Sequence, residues 1–118
     1  MFCIKVKEKF SSAHYLRNYS GKCEQLHGHN WIVEVEIAGE LSENEMVIDF
    51  AIVKDKLKSF LNSNLDHRLI NEIPYFKEHN PTAENIARFI FNHMKKEFSG
   101  LKKVTVWESE AAGVSYEE

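Results

Sequence analysis

Cysteine occurs only twice, at Cys3 and Cys23, too few for the disulfide framework of a small secreted domain. In a reducing compartment both thiols stay free, and each is judged by its surroundings. No apolar run approaches the length of a membrane span. The first ten residues alternate apolar and charged side chains where a secretory signal needs a continuous apolar stretch. A cytosolic protein with no membrane contact is therefore expected. The 15 Lys and Arg are scattered rather than gathered into a stripe and are outnumbered by 18 Asp and Glu, which argues against a nucleic-acid surface. There is no internal repeat, low-complexity tract or linker. The 118 residues are read as one domain, residues 1–118, long enough to bury a core without disulfides.

What is present is a set of histidines. His27 and His29 stand in the run C-E-Q-L-H-G-H, and His14 ends the run F-S-S-A-H. Residues 2–10 alternate with the period of a half-buried strand, Phe2, Ile4, Val6 and Phe10 on one side and Cys3, Lys5, Lys7 and Lys9 on the other. Residues 29–38 alternate too, and Trp31, Val33, Val35 and Ile37 share a side with His29 and, by extension of the strand, His27. From Asp49 to about Asn62 and from Thr82 to about Phe98 the apolar residues follow helical spacing, with Asp49 as a cap and N-P-T as a start signal. Val104, Val106 and Glu108 alternate with Thr105, Trp107 and Ser109 in a third strand, and G-V-S-Y reads as a fourth. The order ββααββ predicts an α+β fold: an antiparallel four-stranded sheet with two helices on one face. The other face mixes Lys5, Lys7, Lys9, Glu34, Glu36 and Thr105 with Ile32 and Trp107, a composition suited to water or to a wet subunit interface.

Two histidines at alternate strand positions with a third at the end of the preceding strand suit a metal better than three unrelated core residues. Imidazole is the commonest ligand for catalytic zinc, and three leave a fourth position open. Gly28 lets another group approach the backbone between them. Cys23 is either a fourth ligand, closing the site, or a nucleophile or base beside an open one. In N-L-D-H-R-L-I-N, Asp66 either fixes the tautomer of His67 or caps a turn with His67 exposed. Glu108 continues an apolar row; a buried carboxylate needs partners, and a heterocycle with adjacent N–H donors would supply them, whereas a strand end would give it to water. His79 and His93 are read as surface or packing residues.

Taken together, F-S-S-A-H-Y-L, C-E-Q-L-H-G-H-N-W, V-I-D-F, L-D-H-R-L-I-N, N-P-T-A-E-N-I-A and V-W-E-S resemble the 6-pyruvoyl- and 6-carboxy-tetrahydropterin synthase family over nearly the whole chain. The resemblance implies the tunnelling fold, with subunits joined into trimers around a barrel of strands, two trimers stacked into a homohexamer, and active sites at subunit interfaces. It implies Zn2+ on His14, His27 and His29, Cys23 as the proton-abstracting thiolate tuned by Asp66 and His67, and Glu108, with Thr82, holding the pterin ring. The implied substrate is 7,8-dihydroneopterin triphosphate. The short spacing C-x-x-x-H-G-H resembles the carboxy-forming branch that feeds queuosine and other 7-deazapurines, rather than the pyruvoyl-forming animal enzymes. Glu24 adds E-x-x-H-G-H, similar to a branch that releases 6-hydroxymethyl-7,8-dihydropterin for folate synthesis; the carboxy-forming reaction is the expected one, with both reactions in one chain, or Glu24 as a solvated loop residue, as the alternatives. A pterin-binding module that has lost the reaction is the non-enzymatic alternative, opposed by the intact Cys23, Asp66, His67 and Glu108.

Overall fold

The computed structural model describes residues 1–21 and 24–118. Two long strands open it, β1 (Phe2–His14) and β2 (His27–Gly39), followed by α1 (Phe50–Asn64), a 3-10 turn (Ile70–Glu72), α2 (Pro74–Glu78), α3 (Ala83–Glu97), β3 (Leu101–Trp107) and β4 (Gly113–Glu117). The four strands form one antiparallel sheet in the order β1-β2-β3-β4.

The period-two pattern explains the sheet. In β2, Trp31, Val33, Val35 and Ile37 are buried while the residues between them are only partly so. They meet Val6 and Phe10 of β1, and Val104 and Val106 of β3, on one face. α1 packs against β1, and α3 against β3 and β4, contributing Val53, Leu57 and Leu61 from the first helix and Ile86, Ile90 and Met94 from the other to the same core. The caps lie where the sequence puts them. Asp49 accepts from the Ala51 N–H at 2.9 Å, and Thr82 Oγ1 accepts from the Asn85 N–H at 3.1 Å.

Three details differ from the sequence reading. β1 continues past residue 10 to His14, because Ser11, Ser12 and Ala13 keep their pairing with β2 although their side chains carry no apolar signal. Phe2, expected on the core side, is 54 % exposed at the outer end of the sheet. The 3-10 turn and α2 add helical segments to the two expected. They are too short to show a period, and Pro74 starts α2 from its first turn. Among the described residues, no helix is long and apolar enough to cross a membrane.

Candidate metal centre

Strand register assembles the site. His14 is the direct cross-strand partner of His27, and Ser12 that of His29, so the three imidazoles project from one face at one end of the sheet. That is the core face, and the buried Trp31 stands beneath them, its ring edge-on to His14 and to His29 with centroids 5.0 Å away in each case. Trp31 is itself fixed, its indole N–H donating to the Ser12 carbonyl at 3.2 Å.

Each of the first two rings is aimed by a main-chain carbonyl. His14 Nδ1 lies 2.8 Å from the Pro81 oxygen and His27 Nδ1 lies 2.6 Å from that of Gln25. A carbonyl can only accept, so both Nδ1 atoms carry the proton and both Nε2 atoms are left with bare lone pairs. Those Nε2 atoms are 3.0 Å apart. Two neutral rings with no proton to share repel at that distance, and a cation between them removes the conflict. Glu108, just past the end of β3, brings Oε1 to 2.7 Å from His29 Nε2, 3.6 Å from His14 Nε2 and 3.9 Å from His27 Nε2. His29 Nε2 is nonetheless buried without a partner in hydrogen-bond geometry. All four donor atoms lie within 4.8 Å of one another. A tetrahedral zinc with bonds of about 2.0–2.1 Å spaces its ligands by about 3.3 Å, within the spread of these separations. The residues present therefore fit a metal ion, with three imidazoles as donors and the Glu108 carboxylate close beside them.

Access is one-sided. The His14 side chain is 3 % exposed, whereas those of His27, His29 and Glu108 are open to about a quarter, so a ligand reaches the cluster from their side. Burial pushes the His14 imidazole below its ordinary range, against a smaller opposing pull from the Pro81 carbonyl, and burial likewise lowers His29 against the nearby Glu108 carboxylate. Lowered pKa values keep both rings in the neutral, ligating form. They also give a stability prediction. Below pH about 6.5 the unfolded chain takes up protons that the folded chain resists, so the stability present above that pH is lost as pH falls through the folded-state values. The melting temperature of chelator-stripped protein is expected to drop between pH 7 and pH 5. A flat profile over that interval counts against the burial of these rings.

The other sequence candidates lie around this centre in different ways. Asp66 Oδ1 accepts from the Ser11 N–H at 2.8 Å, and its Oδ2 pairs with His67 Nδ1 at 2.8 Å. The Ser11 N–H is the main cause, ahead of His67, of the Asp66 carboxyl sitting below the usual carboxylate range. The Asp66–His67 contact is made, Asp66 serves the β1 backbone rather than a turn cap, and the His67 side chain is 82 % exposed. It stands at the outer edge of β1, outside the four-donor cluster. Thr82 spends its hydroxyl on the α3 cap. Glu24 is exposed and, with Arg17 and Tyr19, lines an open cavity of about 500 Å³. Cys23 lies outside the described residues. His79 and His93 are packing residues, the first stacked on Tyr75 and the second set against Phe60 and Phe89. The sequence reading named Glu108 but did not place it against the three histidines, and it missed the two carbonyls that aim the rings. Main-chain oxygens leave no sequence signal, but the apolar row ending in a carboxylate was one for Glu108.

Residues 3–118 match the 6-pyruvoyl tetrahydropterin synthase family. The chain belongs to that family. It is 33 % identical to 6-carboxy-5,6,7,8-tetrahydropterin synthase of Haemophilus influenzae, covering all of both chains. It is also 35 % identical to the dihydroneopterin monophosphate aldolase of Pyrococcus furiosus, covering 97 % of this chain and 96 % of that one. Among solved structures, 6-pyruvoyl tetrahydropterin synthase of Caenorhabditis elegans superposes with a TM-score of 0.89 at 30 % identity, over 99 % of this chain and 95 % of its own. These three relatives, at 30–35 % identity, carry three different activity names, so the likeness alone does not select the product.

Proposed function

We propose that the protein is a zinc-dependent lyase that converts 7,8-dihydroneopterin triphosphate to 6-carboxy-5,6,7,8-tetrahydropterin in the cytosol. The observation that carries this reading is the convergence of the Nε2 atoms of His14, His27 and His29, with the Glu108 carboxylate beside them. When bound, zinc supplies Lewis acidity toward the side-chain hydroxyls of the substrate, making the neighbouring C–H bond more acidic. His14, His27 and His29 hold it. Cys23, four residues before His27, is the base that takes the proton. The Asp66–His67 pair serves as a second proton carrier: the carboxylate fixes the Nδ1–H tautomer and leaves Nε2 free to accept. Glu108 anchors the N–H edge of the pterin.

Because the His67 pair stands at the outer edge of β1, apart from the metal cluster, we place it in the site of a neighbouring subunit. β1 and β4 are both edge strands, and the outer face of the sheet carries the charged row of Lys5, Lys7 and Lys9. Pairing those edges between copies accounts for the expected trimer, stacked into a homohexamer.

Glu24 supports a second activity, side-chain cleavage to 6-hydroxymethyl-7,8-dihydropterin. In favour of it is the aldolase named among the relatives, while the exposure of Glu24 is what a solvated loop residue shows as well. Incubating the purified protein with dihydroneopterin triphosphate and measuring every pterin by mass spectrometry tests both readings. Cys23→Ala is expected to remove the carboxy product and spare the hydroxymethyl one, and Glu24→Ala to do the reverse, each loss being on the order of 100- to 10,000-fold. A Glu24→Ala protein with unchanged products and rates leaves the carboxy-forming activity alone. Absence of any pterin turnover leaves a binding module.

A further inference from the structure

Beyond Ser11, the outward edge of β1 is bonded by groups that are not a strand. The Ser11 N–H goes to Asp66 Oδ1, and the Ala13 N–H to the Arg68 carbonyl at 3.1 Å. The ladder then continues past the end of the sheet on two side chains. Asn71 accepts from the Tyr15 N–H through Oδ1 at 3.0 Å and donates back to the Tyr15 carbonyl through Nδ2 at 2.9 Å. Asn80 repeats the exchange on Arg17, with distances of 2.9 and 3.1 Å. A carboxamide carries one acceptor and two donors, so each asparagine reproduces the two-bond exchange of an antiparallel residue pair.

We infer that Asn71 and Asn80 are positioning residues for the metal centre: as side-chain stand-ins for an absent strand they hold Tyr15 and Arg17, and so fix His14 between them and the Pro81 carbonyl that aims its ring. The inference rests on the reading of the cluster as a metal site. Asn71 is 6 % exposed, and every polar atom of its amide is spent on Tyr15, the residue directly after His14. Asn80 directly precedes Pro81. Its own carbonyl is held by the Thr82 N–H at 2.8 Å and by Asn85 Nδ2 at 2.9 Å. The turn at the head of α3 is thus rigid on its helix side, and the Asn80 side chain ties it to the segment leaving β1. Truncating either amide leaves backbone donors without partners and lets the turn and the strand end move independently.

The experiment is chelator competition for zinc, with the visible spectrum of the cobalt-substituted protein, on the parent and on Asn71→Ala, Asn80→Ala, Asn80→Asp and Asn64→Ala. Both alanine variants at 71 and 80 are expected to bind zinc about 10- to 100-fold more weakly and to alter the cobalt bands. Asn80→Asp, which keeps the acceptor for the Arg17 N–H but sets a carboxylate oxygen against the Arg17 carbonyl, should weaken zinc binding as well. Among the described residues Asn64 bonds only the Phe60 carbonyl within α1, so its variant controls for loss of stability alone and should keep parental affinity and spectrum. If Asn71→Ala does not fold, Asn80→Ala decides. Parental affinity and bands in Asn80→Ala overturn the inference while the metal site stands. A parent that binds neither ion overturns the metal reading and this one with it.

Discussion

His27→Ala will bind zinc at least about 100-fold more weakly than the parent protein, and its pterin turnover will fall by three orders of magnitude or more. The side chain is one of three converging imidazoles and is partly open to solvent, so its removal takes away a ligand while leaving the packed core intact. Outer partners of metal ligands alone are worth about 10- to 100-fold in affinity, which sets a lower bound for the ligand itself. A metal that stabilises developing charge contributes several kcal/mol, and each 1.4 kcal/mol is about tenfold in rate. Metal analysis after gel filtration, paired with the mass-spectrometric assay, reads both quantities. Full zinc content in His27→Ala would mean that the ion sits elsewhere.

Glu108→Gln is expected to keep its zinc and lose its pterin. If the carboxylate pairs with adjacent N–H donors of the ring, the substitution puts a donor where an acceptor is required and leaves a mismatched buried group. The cost is about 2–5 kcal/mol of binding, roughly 30- to several thousand-fold. The geometry sharpens this test, because Glu108 Oε1 is also 2.7 Å from His29 Nε2 and within 3.9 Å of the other two rings. A carboxylate in that place can ligate the metal. Equilibrium binding of a pterin together with zinc analysis separates the two roles. Loss of pterin affinity at full zinc content supports the anchor, and loss of zinc with pterin affinity retained assigns Glu108 to the metal.

Much of this arrangement was legible in the sequence, for physical reasons that differ by element. β2 alternates without a break from Trp31 to Ile37, so its buried face, and with it the side carrying His27 and His29, follows from strand geometry alone. α1 and α3 were legible because their apolar spacing is bracketed by Asp49 and Thr82, which do cap them. Glu108 was harder. Its approach to the histidines depends on β3 lying next to β2 in an antiparallel sense, a matter of sheet order that local spacing does not contain. The same holds for Asp66 and His67. Their mutual contact could be anticipated from adjacency, but their place along β1 depends on the whole of α1 bringing the following loop back to Ser11. The carbonyls of Pro81 and Gln25 act through the main chain, where residue type says almost nothing.

The direct pairing of His14 with His27 has a consequence for how such a chain can diversify. Residues 15–26 form a connection whose two ends are held by strand register and, when the ion is present, by a shared ligand shell. Its flanks are tied to the ligands, Tyr15 and Arg17 through Asn71 and Asn80 and Gln25 through the carbonyl that aims His27. It is therefore changes between the flanks, at residues 18–24, that leave the ligands almost undisturbed, each doubling of a loop's length costing only about 0.6 kcal/mol. Both candidate bases, Cys23 and Glu24, lie within it. If those bases choose the reaction, the candidate metal ligands and the choice of chemistry sit on separate stretches of sequence, and new reactivity can arise in the connection without rebuilding the ligand set.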